Sequence, residues 1–212
     1  MFITFEGGEG AGKTTQIAHL ATQLSQAGHK VLTLREPGSA PGAEAIRDLV
    51  LNGPVERWDA AEELMLFSAA RHELVRTKIK PALDSGTIVL CDRFADSSAV
   101  YQGRAGGIAP DTLQTIEDLA VQGLQPDLTL LIDVPVALGL SRAGKRIDAV
   151  QEGQGEGRFE DKDLSFHEAV RAAFLDRAAQ FPERFHILQG DQDEASLATQ
   201  IWAEVQARMA RP

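Results

Sequence analysis

The stretch Gly7-Gly8-Glu9-Gly10-Ala11-Gly12-Lys13-Thr14 restricts this chain more than any other. It follows an apolar run, Phe2 to Phe5, and precedes residues with helical spacing: Ile17, Leu20, Ala21 and Leu24 fall at i, i+3, i+4 and i+7. Strand, glycine loop and helix in that order are what the G-x-x-x-x-G-K-[ST] pattern requires of a phosphate-binding loop. Its glycines permit backbone conformations closed to other residues, so several N–H groups point inward and, with the positive end of the helix, hold a polyphosphate. Lys13 is expected to reach the terminal phosphates and the Thr14 hydroxyl to ligate Mg²⁺.

Beyond this loop, short apolar runs alternate with longer helical patterns. Phe2 to Phe5, Val31 to Leu34, Thr87 to Cys91, Leu128 to Val134 and Phe185 to Leu188 read as strands. Helices are expected at Ala43 to Leu51, Asp59 to Leu83, Asp111 to Val121, Val136 to Lys145, Ser165 to Phe181 and Glu194 to Met209, the last with an inward stripe of Leu197, Ile201 and Val205. Such alternation implies an α/β fold with a parallel sheet of five strands and helices on both faces. With 212 residues, 43% of them hydrophobic, the chain is expected to form one domain over 1–212. The periodicity lapses over Asp148 to Asp163, where Gly153, Gly155 and Gly157 sit among acids, which predicts a mobile loop.

Composition narrows the partners. A formal net charge of −10 argues against nucleic acid or an anionic membrane surface, both of which are reached through clustered Lys and Arg. Cys91 is the only cysteine, so no intramolecular disulfide forms, and it reads as a buried strand residue. The five histidines have no metal-ligand spacing. Without a signal-like leader or an apolar run of membrane-spanning length, a soluble, cytoplasmic protein with small-molecule partners is expected.

In an open parallel sheet ligands bind beyond the carboxyl ends of the strands. That edge holds Arg35-Glu36-Pro37-Gly38 after the second strand, Asp92-Arg93-Phe94 after the third and Asp133 after the fourth. Asp92 can hold an Mg²⁺-bound water and Arg93 can clamp phosphate with its planar fork, although an ion pair capping the strand would look the same. Asp133, before Val134-Pro135, reads as shaping a turn. Arg47 is a candidate phosphate ligand, or a solvated helical arginine. Phe67 and Arg71 share a helix face and can stack a base and bind its edge, or serve as core and rim. Ser97, Ser98, Tyr101 and Gln102 offer hydroxyls and one amide near Arg93. Arg142, Lys145, Arg146 and Arg158 flank the mobile loop, as in a closing lid at about 142–163 that neutralises charge moving between phosphates.

The ordered set of Phe5-Glu6-Gly7 through Thr15, Arg35-Glu36-Pro37-Gly38, Pro41-Gly42-Ala43-Glu44-Ala45-Ile46-Arg47, Leu66-Phe67-Ser68-Ala69-Ala70-Arg71, Asp92-Arg93-Phe94 with Ser97-Ser98, and Tyr101-Gln102-Gly103 resembles the bacterial thymidylate kinases over nearly the whole chain. The resemblance implies the P-loop nucleoside monophosphate kinase fold and transfer of the γ-phosphoryl of ATP to dTMP, with Mg²⁺ accompanying ATP, in a homodimer. It further implies that Gly7 to Thr15 bind ATP, that Phe67 stacks on thymine, that Arg71 and Gln102 donate to its carbonyl edge, and that Ser98 lies beside the base. Arg47 and Arg93 would hold the dTMP phosphate, Pro37 would line the site, Glu9 would lie near the sugar 3′-hydroxyl, and Tyr101 would pack on the deoxyribose. With no arginine in the phosphate loop itself, the catalytic arginine would come from the lid, where Gly157-Arg158-Phe159-Glu160 makes Arg158 the best match, with Arg142 and Arg146 as alternatives. The chain departs from the family at Gly157, in place of the usual Asp, and at Ser39-Ala40, where Gly-Thr or Gly-Ser is common.

Rival functions fit less well. A GTP switch needs Asn-Lys-x-Asp to read guanine, and the sole asparagine, Asn52, precedes Gly53. An ATPase acting on DNA would carry a basic, aromatic face. A non-catalytic nucleotide-binding module and a kinase for dUMP or CMP are the remaining alternatives. Arg71 and Gln102 as donors would favour thymine or uracil over cytosine.

Overall fold

The computed structural model describes residues 1–149, 159 and 162–210, with side chains described for all of these except 145–149. Its centre is β1 (Phe2–Glu6), every residue of which is buried. Four further strands, β2 (Val31–Arg35), β3 (Ile88–Asp92), β4 (Leu128–Asp133) and β5 (Phe185–Gln189), run parallel to it in the order β2-β3-β1-β4-β5. With β1 between β3 and β4, the chain reverses its direction of winding beside the phosphate loop, which is where parallel sheets place ligands. Alternation across the pleat sends Ile3 and Phe5 to one face and Phe2 to the other.

Each face is covered by helices. On one, Ile17, Leu20 and Leu24 of α1 (Lys13–Gln26) and Leu197, Ile201 and Val205 of α9 (Glu194–Met209) bury against Ile3 and Phe5. The other face buries Phe2, Val89 and Cys91 with Leu74, Val75 and Ile79. Those three belong to a continuous helical rod: α3 (Ala60–Leu74), a π-helical turn over Val75–Ile79, and α4 (Lys80–Asp84). The sequence predicts one regular helix here. The widened turn comes just before Pro81, which lacks the N–H for a helical bond and whose ring would press on the Thr77 carbonyl. Asp59 caps α3 in a reciprocal capping box with Glu62.

The remaining helices carry the site. Pro41 opens α2 (Pro41–Leu51), whose Ala43 N–H is capped by the Glu73 carboxylate at 2.7 Å, fixing α2 on α3. After β3 come α5 (Ala95–Ser98) and a π-helical stretch over Ala99–Ala105, where the sequence shows only a loop leading to a helix. Then α6 (Pro110–Val121), α7 (Val136–Ala149) and α8 (Leu164–Gln180) follow. Because α7 continues to Ala149, residues 142–149 of the expected lid are helical, and the expected mobile loop cannot begin at Asp148. Among the described residues no helix is long and apolar enough to cross a membrane.

Candidate active site

The site is built outward from the end of β1. The loop after it closes onto α1 through Gly12, which sits at φ 93° as the N-cap without any side-chain cap. The first N–H groups of α1 therefore have no side-chain cap at Gly12, an arrangement that suits an anion. Gly10 is required by space: a methyl there would run into the Gly139 carbonyl of α7. Lys13 is buried and donates from Nζ to the carbonyls of Gly7 and Gly8, at 3.2 and 3.1 Å, so its ammonium lies against the loop. Burial and the neighbouring Arg93 charge hold its pKa below the ordinary lysine value.

Thr14 and Asp92 meet at the mouth of the loop, where the threonine Oγ1 donates to the Asp92 Oδ2 at 2.9 Å. A hydroxyl and a carboxylate beside a phosphate cradle are hard oxygen donors of the kind Mg²⁺ takes alongside phosphate oxygens and water. The residues present thus fit that ion.

Arg93 has φ 68°, a left-handed conformation unusual outside glycine. Its backbone N–H donates to the Phe5 carbonyl at 3.0 Å, and its guanidinium donates to Ser97 Oγ, Glu9 Oε1 and Tyr101 Oη at 3.1, 2.8 and 3.2 Å. Tyr101 in turn donates to Glu9 at 2.9 Å. Burial raises the Glu9 pKa, but Arg93 and then Lys13 more than offset it, so the carboxyl stays below its usual value and ionised.

Next to this cluster opens a cavity of about 140 Å³. Every residue that the resemblance assigns to dTMP lines it: Glu9, Pro37, Arg47, Phe67, Arg71, Arg93, Ser98, Tyr101 and Gln102. Arg47 reaches it from α2 and donates to the Pro37 carbonyl at 2.6 Å. Phe67 lies 6.2 Å from the ring of Phe159, which itself meets Tyr101 edge-on at 5.8 Å.

Two of these side chains have protein partners that the sequence does not show. Arg71 is held on every side of its guanidinium. Its Nε donates to Glu36 at 2.7 Å, one terminal nitrogen to Glu117 and Ser98, and the other to the Phe94 carbonyl and Ser98, which engages all five guanidinium protons. The group is almost wholly buried. Burial opposes its charge, but Glu117 and Glu36 more than compensate and hold the pKa above the ordinary value. Ser98 accepts from both terminal nitrogens, so its own hydroxyl proton is the one left to meet a ligand. Gln102 likewise commits its amide nitrogen, donating to Glu63 at 2.8 Å. A carboxylate only accepts, so this fixes the amide orientation and leaves the Gln102 carbonyl oxygen as an acceptor for the ligand.

Several side chains were invisible as site residues. Glu63, Phe67 and Arg71 stand at four-residue intervals on one face of α3, so Glu63 had a periodic signal. Glu117 comes from α6 and has no local signal at all. Glu36 was legible only as part of a turning loop; burial pushes its carboxyl up to about 7, with Arg71 opposing, and its Oε1 has no hydrogen-bond partner among the described residues. Asp133 does not merely shape a turn: it accepts both Nε and Nη2 of Arg171, at 2.7 and 2.8 Å. Arg142 donates to the Gly190 carbonyl at 3.1 Å, on the wall of the phosphate-loop cavity. Arg158 and the side chain of Arg146 lie outside the described residues.

Comparison with known proteins identifies the relatives of this chain. A family model described as thymidylate kinase matches residues 5–201. A thymidylate kinase of Nitrobacter hamburgensis is 47% identical over 209 residues, covering 98% of this chain and 89% of the relative. Another, of Afipia carboxidovorans, is 47% identical over 210 residues, covering 99% and 90%. The crystal structure of thymidylate kinase from Ehrlichia chaffeensis superposes with a TM-score of 0.74 at 33% identity, covering 99% of this chain and 98% of that one.

Proposed function

The chain belongs to the thymidylate kinase family, and we propose that it moves the γ-phosphoryl of ATP to dTMP, giving dTDP, in a cleft whose two arms meet at Arg93. The observation that carries this reading is that Arg93, Glu9, Glu36 and Arg47 line both the phosphate-loop cavity and the nucleoside cavity. A phosphate in either arm lies within reach of the same guanidinium.

Gly7 to Thr15 and the start of α1 hold the ATP phosphates, with Lys13 leaving the Gly7 and Gly8 carbonyls for the terminal ones. Thr14, and Asp92 through water, would hold Mg²⁺, which when bound would neutralise charge on the phosphates. Arg47 and Arg93 hold the dTMP phosphate, whose oxygen is already ionised, so no general base is needed; positioning and charge neutralisation supply the rate. Thymine lies against Phe67. The Gln102 carbonyl oxygen accepts its N3–H and the Ser98 hydroxyl donates to a ring carbonyl, a pairing that repels cytosine, whose N3 is an acceptor. Tyr101 and Glu9 border the sugar. The acidic charge and the absence of any membrane-length helix among the described residues fit a cytoplasmic enzyme, and the exposed Met65 and Leu119 on the packed pair α3 and α6 fit a homodimer.

Calorimetric titration with dTMP, dUMP and dCMP checks the base assignment. Binding of dTMP with dCMP weaker by tenfold or more is expected; equal binding of dCMP would contradict the roles of Gln102 and Ser98.

A further inference from the structure

Glu6, the last residue of β1, is fully buried, yet it is neither in the phosphate loop nor against either cavity. A carboxylate in such a place costs several kcal/mol unless its oxygens are satisfied. Both are. Oε1 accepts the Phe94 backbone N–H at 2.9 Å and Oε2 accepts the Ser97 hydroxyl at 2.6 Å. Burial and then the Asp96 charge push its carboxyl up to about 7, opposed by Arg93 and by the two hydrogen bonds, and Lys13 is the other cation that feels its charge.

Ser97 has a single proton. Donating it to Glu6 turns the oxygen lone pairs toward Arg93, whose Nη1 donates to that same Oγ at 3.1 Å. The Phe94 amide, the other group held by Glu6, immediately follows the left-handed Arg93. One carboxylate therefore clamps the backbone on one side of a strained residue and polarises the hydroxyl that orients its guanidinium. Such strain persists only where surrounding structure over-determines it.

We propose that Glu6 is a positioning residue for phosphoryl transfer, acting through Ser97 and the Phe94 amide to hold the Arg93 turn and aim its guanidinium between the two phosphate sites. This rests on the role given to Arg93 above. Ser97 supplies the alignment, and Glu6 supplies the direction of the Ser97 proton. In Glu6→Gln one amide arm becomes a donor, so either the Phe94 N–H loses its acceptor or the Ser97 proton is turned elsewhere.

The test compares wild type, Ser97→Ala, Ser97→Thr, Glu6→Gln and the double variant Glu6→Gln/Ser97→Ala in steady-state assays with dTMP and Mg-ATP. Ser97→Ala and Glu6→Gln are each expected to lower kcat by roughly ten- to hundredfold, since small misplacements cost that much. KM for ATP is expected to stay within about threefold, Ser97→Thr to recover most of the loss, and the double variant to be no slower than the worse single one. Loss in both singles that multiplies in the double variant would mean two independent structural defects and would overturn the proposal. So would a kcat for Ser97→Ala within about twofold of wild type, a result that decides the matter even if Glu6→Gln does not fold. Failure of the underlying reading looks different: wild type itself would not turn over dTMP, or Arg93→Ala would remain active.

Discussion

The Glu63 carboxylate accepts the Gln102 amide N–H at 2.8 Å with both side chains buried, so an acid from α3 sets the orientation of an amide that lines the cavity from the π-helical stretch Ala99–Ala105. Replacing Glu63 by Gln removes that compulsion, because a glutamine can donate as well as accept. Glu63→Gln is expected to reduce the preference for dTMP over dCMP about tenfold, the worth of one buried hydrogen bond. Unchanged discrimination in competition assays would contradict the orientation.

Phe67 lines the nucleoside cavity, and its side chain is only partly buried by the protein itself. Phe67→Ala is expected to raise KM for dTMP by roughly ten- to hundredfold, because a stacking plate is worth ~1–3 kcal/mol per base. KM for ATP is expected to stay near wild type, which steady-state kinetics with each substrate varied in turn will show.

In the proposed mechanism Lys13 and Arg93 carry the charge of transfer. Lys13→Ala and Arg93→Ala are each expected to lower kcat by about 10²–10³-fold or more, with unchanged far-ultraviolet circular dichroism. Near-wild-type turnover in either variant would remove that residue from the mechanism.

Asp96 gives a prediction for stability. It accepts Arg177 at 2.8 Å and Arg184 at 2.6 and 2.7 Å, joining α5 to α8 and to the start of β5. Burial raises its pKa, but hydrogen bonds and charge from Arg184 and Arg177 outweigh this and leave it below the ordinary 3.8. Because the folded pKa is the lower one, the stabilisation is fully present above about pH 3.8 and is lost as pH falls below it. Asp96→Asn, which strands two guanidinium groups, is expected to cost about 3–5 kcal/mol at neutral pH and lower Tm by roughly 10 °C. The gap to wild type should narrow below pH 3.8. A pH-independent gap in thermal melts would show that charge pairing is not the cause.

Much of the fold was legible because local periodicity and burial point the same way in it. The continuous apolar runs of β1 and β4 are buried along their whole length, and the 3.6-residue stripe of α9 gives that helix its observed limits, Glu194–Met209. Irregular helix was less legible. The π-helical stretch carrying Tyr101 and Gln102 has no repeating pattern, since its side chains are divided between the cavity and an apolar cluster with Phe174. Candidate site residues could be named from the sequence, but their hydrogen-bond partners could not. Whether Arg71 is a free donor depends on Glu36 and Glu117, 35 and 46 residues away along the chain, a pairing that only the packing of α3 against α6 and the loop after β2 creates. The same holds for Asp133, whose partner Arg171 lies on α8.

The most direct measurement is ADP release coupled to a reporter, with Mg-ATP and with dTMP, dUMP, CMP and GMP offered in parallel. Strong preference for dTMP, abolished in Arg93→Ala, is the predicted result. Equal or faster turnover of another monophosphate would leave the phosphate cradle standing but contradict the roles of Phe67, Ser98 and Gln102, and no turnover with any of the four would contradict the kinase reading as a whole.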